Sequence, residues 1–126
     1  MRLGGRVIFN GKGEGIALVS SNPMSFYGGV DPDTGRVIER GHELRGESVK
    51  GRVLVFPNGK GSTVGSYVLY RLKRNGAAPS AIINSKCETI VAVGVIISEI
   101  PCVDMIDITK IATGASVRVD GASVSF

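Results

Sequence analysis

The spacing of apolar and polar residues predicts a chain with more short strands than helices. Apolar or alternating stretches predict strands at 6–9, 15–20, 36–38, 52–56 and 81–84. A glycine-rich turn is expected at 11–13, and Pro57 ends the fourth stretch abruptly. The tail at 116–125 alternates around Asp120-Gly121, which predicts a hairpin.

One segment has a clear helical pattern. Val64, Val68 and Leu72 recur every four residues with Tyr67 on the same side, which predicts a helix ending near Asn75-Gly76. Either hydroxyl of the pair Ser62-Thr63, just before this pattern, is a natural N-cap.

Two later segments are less clearly patterned. Residues 88–95 are apolar on all sides, which is compatible with a second helix or a buried strand, and periodicity does not decide between them. Residues 98–108 contain Pro101 and are expected to cross the domain in an extended conformation.

Composition favours one globular domain spanning 1–126. The 126 residues are 43% apolar and 21% charged, which is ordinary for a folded domain and argues against disorder. Eighteen glycines indicate many tight turns and close backbone approaches. These features predict a strand-rich α/β domain whose loops carry its chemistry.

The formal charge of +4 is compatible with an anionic substrate, an acidic subunit or nucleic acid. The densest basic cluster, at 71–74, is short and lacks the aromatic neighbours of a nucleic-acid platform, so no nucleic-acid partner is expected. No apolar run is long enough to span a bilayer, so we expect no membrane partner and a cytoplasmic location. One histidine and two cysteines, Cys87 and Cys102, do not predict a metal site, and the cysteines are interpreted as structural.

The segment 57–63 is the most informative for chemistry. It places a lysine, a hydroxyl and unpaired amides where a strand gives way to a helix, an arrangement that favours an anion. A nucleotide-binding phosphate loop is disfavoured because Gly61 separates Lys60 from Ser62. From these residues alone, an ordinary N-cap is favoured over a catalytic serine.

Three separated motifs carry a family resemblance. Residues 59–69 (GKGSTVGSYVL), 28–35 (GGVDPDTG) and 78–83 (APSAII) resemble, in order and spacing, the small subunit of the aconitase X family. The resemblance covers nearly the whole chain. It implies an α/β fold of the swivelling β/β/α kind, with a barrel-like mixed sheet and a few helices.

The resemblance also implies a division of labour between two subunits. A large subunit would hold a [4Fe-4S] cluster, whose iron acts as a Lewis acid on the leaving hydroxyl. Ser62 would be the proton acceptor. Substrate binding would then fall to the flanking residues Gly61, Thr63, Lys60, Gly28 and Gly29.

The reaction implied is dehydration of a small phosphorylated hydroxy acid. The expected substrate is (R)-5-phosphomevalonate, which would give trans-anhydromevalonate 5-phosphate in the archaeal modified mevalonate pathway to isoprenoids. A relative acting on cis-3-hydroxy-L-proline is the alternative enzyme. A basic β-barrel that binds a partner without catalysis is the alternative from another class.

The group that activates Ser62 stays open. Ordinary aconitases carry an arginine after the serine pair, whereas this chain has Thr63-Val64. Lys60 and a residue of the large subunit are both candidates for the missing cation. His42 and Asp31 are also possible acid or base groups, but they rank below Ser62 because loop residues of these types commonly form turns.

Overall fold

Strands outnumber helices in the folded chain, as the residue pattern predicts. The computed structural model describes all 126 residues, Met1–Phe126. The strands are β1 (Arg2–Gly4), β2 (Arg6–Phe9), β3 (Lys12–Val19), β4 (Val53–Phe56), β5 (Ala81–Asn84), β6 (Cys102–Asp104), β7 (Ser116–Asp120) and β8 (Ser123–Ser125). The helices are α1 (Gly65–Arg74) and α2 (Thr89–Ser98), with a short 3-10 helix at Ile108–Lys110.

The strands form one mixed sheet in the order β1-β8-β7-β3-β4-β5-β6-β2. Neighbours from β3 to β6 are parallel, and all other neighbours are antiparallel. The two ends of the sheet are consecutive in the chain, because only Gly5 separates β1 from β2. A Cβ at Gly5 would overlap the carbonyl oxygen of Asp104, so glycine is required there. This connection gives the sheet its expected barrel-like shape.

Two apolar cores divide the domain into layers. Alternate residues of β4 point to opposite faces, so that Leu54 and Phe56 join the core beneath the helices, while Val53 and Val55 join the core between the two halves of the sheet. The result is the β/β/α arrangement that the resemblance implies. No helix is long and apolar enough to cross a membrane.

Helix α1 begins later than the pattern predicts. Val64 is the residue before its first turn and makes no side-chain cap. The predicted capping contact is made by Ser62 in the preceding tight turn, where its Oγ accepts from Val64 N at 3.2 Å. The carbonyls of Ser62 and Thr63 accept tight i+3 bonds from Gly65 and Ser66. The chain therefore enters α1 through a turn that leaves Ser62 outside it.

The buried face of α1 is only partly the predicted one. Val68 and Leu72 are buried as expected, whereas Val64 and Tyr67 are exposed. The inward face is completed by Leu69, which packs against Gly94 of α2.

Other boundaries also differ from the sequence prediction. The turn expected at 11–13 is largely strand, because Lys12 and Gly13 pair with β7. Residues 36–38 form isolated bridges instead of a strand. The undecided segment 88–95 is helical, and the crossing at 98–108 is extended only around β6.

Candidate functional site

The loop between β4 and α1 is fixed by a neighbouring segment. Met24 forms a parallel bridge with Gly59, its amide donates to Asn58 O at 3.1 Å, and its carbonyl accepts from Lys60 N at 3.0 Å. Gly61 follows with a φ of 88°, which L side chains rarely adopt. These contacts set the direction in which the chain approaches Ser62.

Ser62 lies on the surface with its hydroxyl accessible. The amide of Val64 donates to Ser62 Oγ at 3.2 Å, and no charged side chain is bonded to that oxygen. A backbone donor at Oγ favours the negatively charged form of the oxygen over the neutral one. The hydroxyl is thus positioned to carry developing negative charge.

Three consecutive amides next to this hydroxyl in the sequence have no acceptor in the chain. The N–H groups of Gly61, Ser62 and Thr63 donate to no backbone or side-chain atom, and all three residues are exposed. Unpaired amides in the loop before a helix can complement negative charge. The loop can therefore bind an anionic group or stabilise an oxyanion beside Ser62 Oγ.

Lys60 is held by an acidic partner. Its Nζ lies 3.1 Å from Glu39 Oε2, in an ion pair that is partly exposed. The ammonium group is therefore ion-paired with the Glu39 carboxylate and makes no hydrogen bond with Ser62 Oγ. Sequence reasoning missed Glu39, because a contact across 21 residues leaves no local signal.

Gly28 and Gly29 lie on the segment beside the loop between β4 and α1 (residues 57–64, the serine loop), but their surroundings differ. Gly28 has a φ of 78° and open space where a side chain would be. A Cβ at Gly29 would overlap the carbonyl of Ser25 and lie 3.1 Å from Glu39 Oε1. A Cβ at Gly61 would lie 2.6 Å from Ser25 Oγ, so the two glycine-containing loops are in contact.

Glu88 supports the serine loop from the side of α2. Its carboxylate accepts from Ile90 N at 2.7 Å and from Val91 N at 2.8 Å, capping α2. A Cβ at Gly59 would overlap the same carboxylate, so the loop passes close against the cap. An acidic group therefore already occupies the start of α2.

His42 and Asp31 have structural partners. His42 is buried, with Nδ1 accepting from Leu44 N at 3.1 Å and Nε2 3.2 Å from Pro23 O. Asp31 Oδ1 accepts from Asp33 N at 2.9 Å in a local turn. These contacts agree with ranking both residues below Ser62.

The two cysteines lie together, and Cys87 immediately precedes Glu88, whose carboxylate lies against the serine loop. Cys102 is fully buried, and the neighbouring Cys87 side chain together with burial raises the pKa of its thiol well above the ordinary value. No group of three or more histidine, cysteine or acidic side chains is placed to hold a metal ion. The residues of this chain therefore do not fit an iron-sulfur cluster.

The site is open on its outer side. None of the surface cavities is lined by Lys60, Gly61, Ser62 or Thr63. A reaction that needs exclusion of water would require a further surface to cover this loop.

Comparisons with known proteins agree with one another. The family model described as the aconitase X swivel domain matches residues 2–126. The phosphomevalonate dehydratase small subunit of Thermococcus kodakarensis is 58% identical over 98% of this chain and 92% of its own length. The same-named protein of Methanosarcina acetivorans is 58% identical over 97% of this chain and 87% of its length.

A solved structure has the same fold. The crystal structure of Thermococcus kodakaraensis aconitase X, in its holo-form, superposes with a TM-score of 0.97 at 55% identity. The match covers 99% of this chain and 97% of that one.

Proposed function

Because the chain belongs to the aconitase X swivel-domain family, we propose that it is the small subunit of a phosphomevalonate dehydratase. In this proposal the whole chain is one swivelling domain of a hydro-lyase. The enzyme removes water from (R)-5-phosphomevalonate to give trans-anhydromevalonate 5-phosphate, in the archaeal modified mevalonate pathway. Archaeal proteins of that name are 58–59% identical to this chain over nearly its whole length, which supports this assignment.

Ser62 is the proton acceptor in this proposal. The observation that carries the role is an exposed serine with one amide donor on Oγ, in a loop where the amides of residues 61–63 have no acceptor in the chain. An unassisted serine hydroxyl is too weak an acid to lose its proton, and such donors lower the free energy of its alkoxide. The alkoxide oxygen takes a proton from substrate carbon and becomes a hydroxyl again, while the electron pair of the broken C–H bond forms the C=C bond and the substrate hydroxyl departs.

The flanking residues bind the substrate. The amides of Gly61 and Thr63 donate to substrate oxygens, and Gly28 forms an open second wall. The ammonium of Lys60, oriented by Glu39, lies at the edge of the same loop. An anionic, phosphorylated substrate suits these donors and the net charge of +4.

A large partner subunit completes the enzyme. The relatives are named small subunits, which implies a larger one, and we propose a heterodimer with it in the cytoplasm. The [4Fe-4S] cluster expected for the family is assigned to that subunit, since residues of this chain do not fit one. Departure of the substrate hydroxyl is accordingly assisted from outside this chain.

The competing functions are not favoured by these observations. The relatives described above are named for phosphomevalonate and not for cis-3-hydroxy-L-proline. Hydroxyproline carries no phosphate, so it offers fewer anionic oxygens to the unpaired amides. The non-catalytic β-barrel does not account for the accessible serine among unpaired amides.

The test is a substrate comparison with the complete enzyme. The chain is co-expressed with its large subunit, purified without oxygen, and given (R)-5-phosphomevalonate or cis-3-hydroxy-L-proline at equal concentration. We expect an alkene product from phosphomevalonate alone. Dehydration of hydroxyproline alone would retain the architecture and overturn the substrate, whereas no reaction with either by a complex that retains its cluster would overturn both.

A further inference from the structure

The two cysteines of the chain meet on one side of strand β6. Side chains two residues apart on a strand point to the same side, so Cys102 and Asp104 project together from β6. The amide of Cys87 donates to Asp104 Oδ2 at 2.8 Å, which holds the Cys87 backbone over that side of the strand. Cys87 packs against the core to which Cys102 belongs, and the two side chains are in contact.

The two thiols differ in their access to solvent. Cys102 is fully buried, and contact with Cys87 together with burial raises the pKa of its thiol, so the thiol stays protonated at neutral pH. Cys87 is half-buried, and its thiol donates only a weak bond, to the Glu88 carbonyl at 3.5 Å. A reagent from solvent therefore reaches Cys87 first and Cys102 only through it.

Cys87 is joined directly to a residue that supports the serine loop. Glu88 follows it in the chain, and the Glu88 carboxylate caps α2 through the amides of Ile90 and Val91. A Cβ at Gly59 would overlap the same carboxylate, so no free space separates the serine loop from the cap. A shift of Cys87 toward β6 therefore displaces Glu88 and alters the packing of the loop.

We propose that Cys87 and Cys102 are a thiol pair that closes to a disulfide by exchange with a small organic disulfide, and that this crosslink disables the serine loop. The crosslink follows from the arrangement of this chain alone, whereas its effect on turnover rests on the proposed function. A structural role for the cysteines requires neither their contact nor the accessible position of Cys87.

The exchange proceeds in two steps. The Cys87 thiolate attacks one sulfur of the small disulfide and bonds to it, and the other sulfur leaves as a thiolate that takes up the Cys87 proton. Cys102 then loses its proton and attacks Cys87 Sγ, which displaces the second small thiolate. The two cysteines are oxidised, and the small disulfide is reduced to two thiols. The raised pKa of Cys102 slows the second step, but contact with Cys87 makes this step intramolecular.

The first measurement follows the crosslink in the full chain. Wild type, Cys87→Ala and Cys102→Ala are incubated with oxidised glutathione, and the products are identified by intact mass and peptide mapping. We expect wild type to lose two hydrogen atoms and to contain an 87–102 crosslink. Cys102→Ala should stop at a glutathione adduct on Cys87, and Cys87→Ala should remain unmodified. Wild type unfolded in urea is the control for the reactivity of both thiols.

The second measurement tests the effect on the serine loop. Crosslinked wild-type chain is freed of reagent and combined with cluster-loaded large subunit without oxygen, so the reagent never meets the cluster. We expect turnover of (R)-5-phosphomevalonate to be lower by about tenfold or more than with reduced chain, and to be restored by dithiothreitol. Cys87→Ala treated in the same way should retain the turnover of its untreated form.

Three results would overturn the proposal. The first is a crosslink that forms only in urea, and the second is a glutathione adduct on wild-type Cys87 that Cys102 never displaces, since both would show that the fold keeps the sulfurs apart. The third is full turnover by crosslinked chain. Absence of turnover by the reduced enzyme, with the crosslink mapped, would instead reject the proposed function and leave the thiol pair in place.

Discussion

Replacing Asp104 with alanine should cost about 2–4 kcal/mol of folding free energy. Asp104 has no exposed side-chain surface, and its carboxylate accepts from Arg6 Nε at 3.0 Å, Arg6 Nη2 at 2.7 Å and Cys87 N at 2.8 Å. Hydrogen bonds to a charged group contribute roughly 1.5–3 kcal/mol each, and a buried donor left unpaired costs about 1–3 kcal/mol. Because Arg6 is 60% exposed and regains water, its two bonds contribute little, and the cost is set mainly by the lost bond from Cys87 N and by leaving that donor unpaired.

The effect should be large enough to read in a thermal melt. An unfolding entropy of about 2.1 cal/mol/K per residue makes 3 kcal/mol equivalent to roughly 11 °C in Tm for this chain. Asp120→Ala is the matched control, because Asp120 is exposed and its nearest cation, Lys12 Nζ, is 4.0 Å away. An Asp104→Ala variant within about 0.5 kcal/mol of wild type in urea unfolding would refute the reasoning.

The same carboxylate predicts a dependence on pH. Burial opposes its ionisation, but the bonds from Arg6 and Cys87 N prevail and lower the pKa of Asp104 below its ordinary value. A depressed folded-state pKa contributes stability that is present above the unfolded-state pKa, near roughly 3.9, and is lost as pH falls through the folded value. The stability difference between wild type and Asp104→Ala should therefore shrink below about pH 4.

Two glycine substitutions test packing, one between the two helices and one at the serine loop, with Gly4→Ala as a common control because its Cβ would meet nothing within 4 Å. Gly94→Ala drives a methyl group into Leu69 and should cost about 1–3 kcal/mol in urea unfolding, unlike the control. The added Cβ of Gly59→Ala would overlap the Glu88 carboxylate that caps α2. Turnover by the two-subunit enzyme should therefore fall at least tenfold, while the large subunit still binds. Wild-type turnover would contradict the close packing of the loop against this cap.

Parts of the fold could be predicted from the sequence because short-range residue patterns determine them. The buried strands β4 and β5 and the β7–β8 hairpin are confirmed, because continuous apolar runs and an Asp-Gly turn act within a few residues. The segment 88–95 was not decidable in this way. Its β-branched residues favour a strand, but the Glu88 cap and the close approach of Gly94 to Leu69 stabilise a helix.

The candidate site was predictable to a similar extent. Ser62 stands out only through the order and spacing of three motifs, and its role as proton acceptor stays a prediction. The pairing of Lys60 with Glu39 and the contact of Ser25 with Gly61 depend on chain segments far apart in sequence. Because the tertiary fold determines such contacts, no local sequence pattern predicts them.

The central claim is that Ser62 accepts the substrate proton. The most direct measurement is anaerobic dehydration of (R)-5-phosphomevalonate by the two-subunit enzyme carrying Ser62→Ala, with Ser116→Ala, an exposed serine on β7, as control. The account predicts a loss of kcat of at least a hundredfold for Ser62→Ala, with the complex and its cluster intact, and wild-type kcat for the control. Turnover by Ser62→Ala within a few-fold of wild type would contradict it.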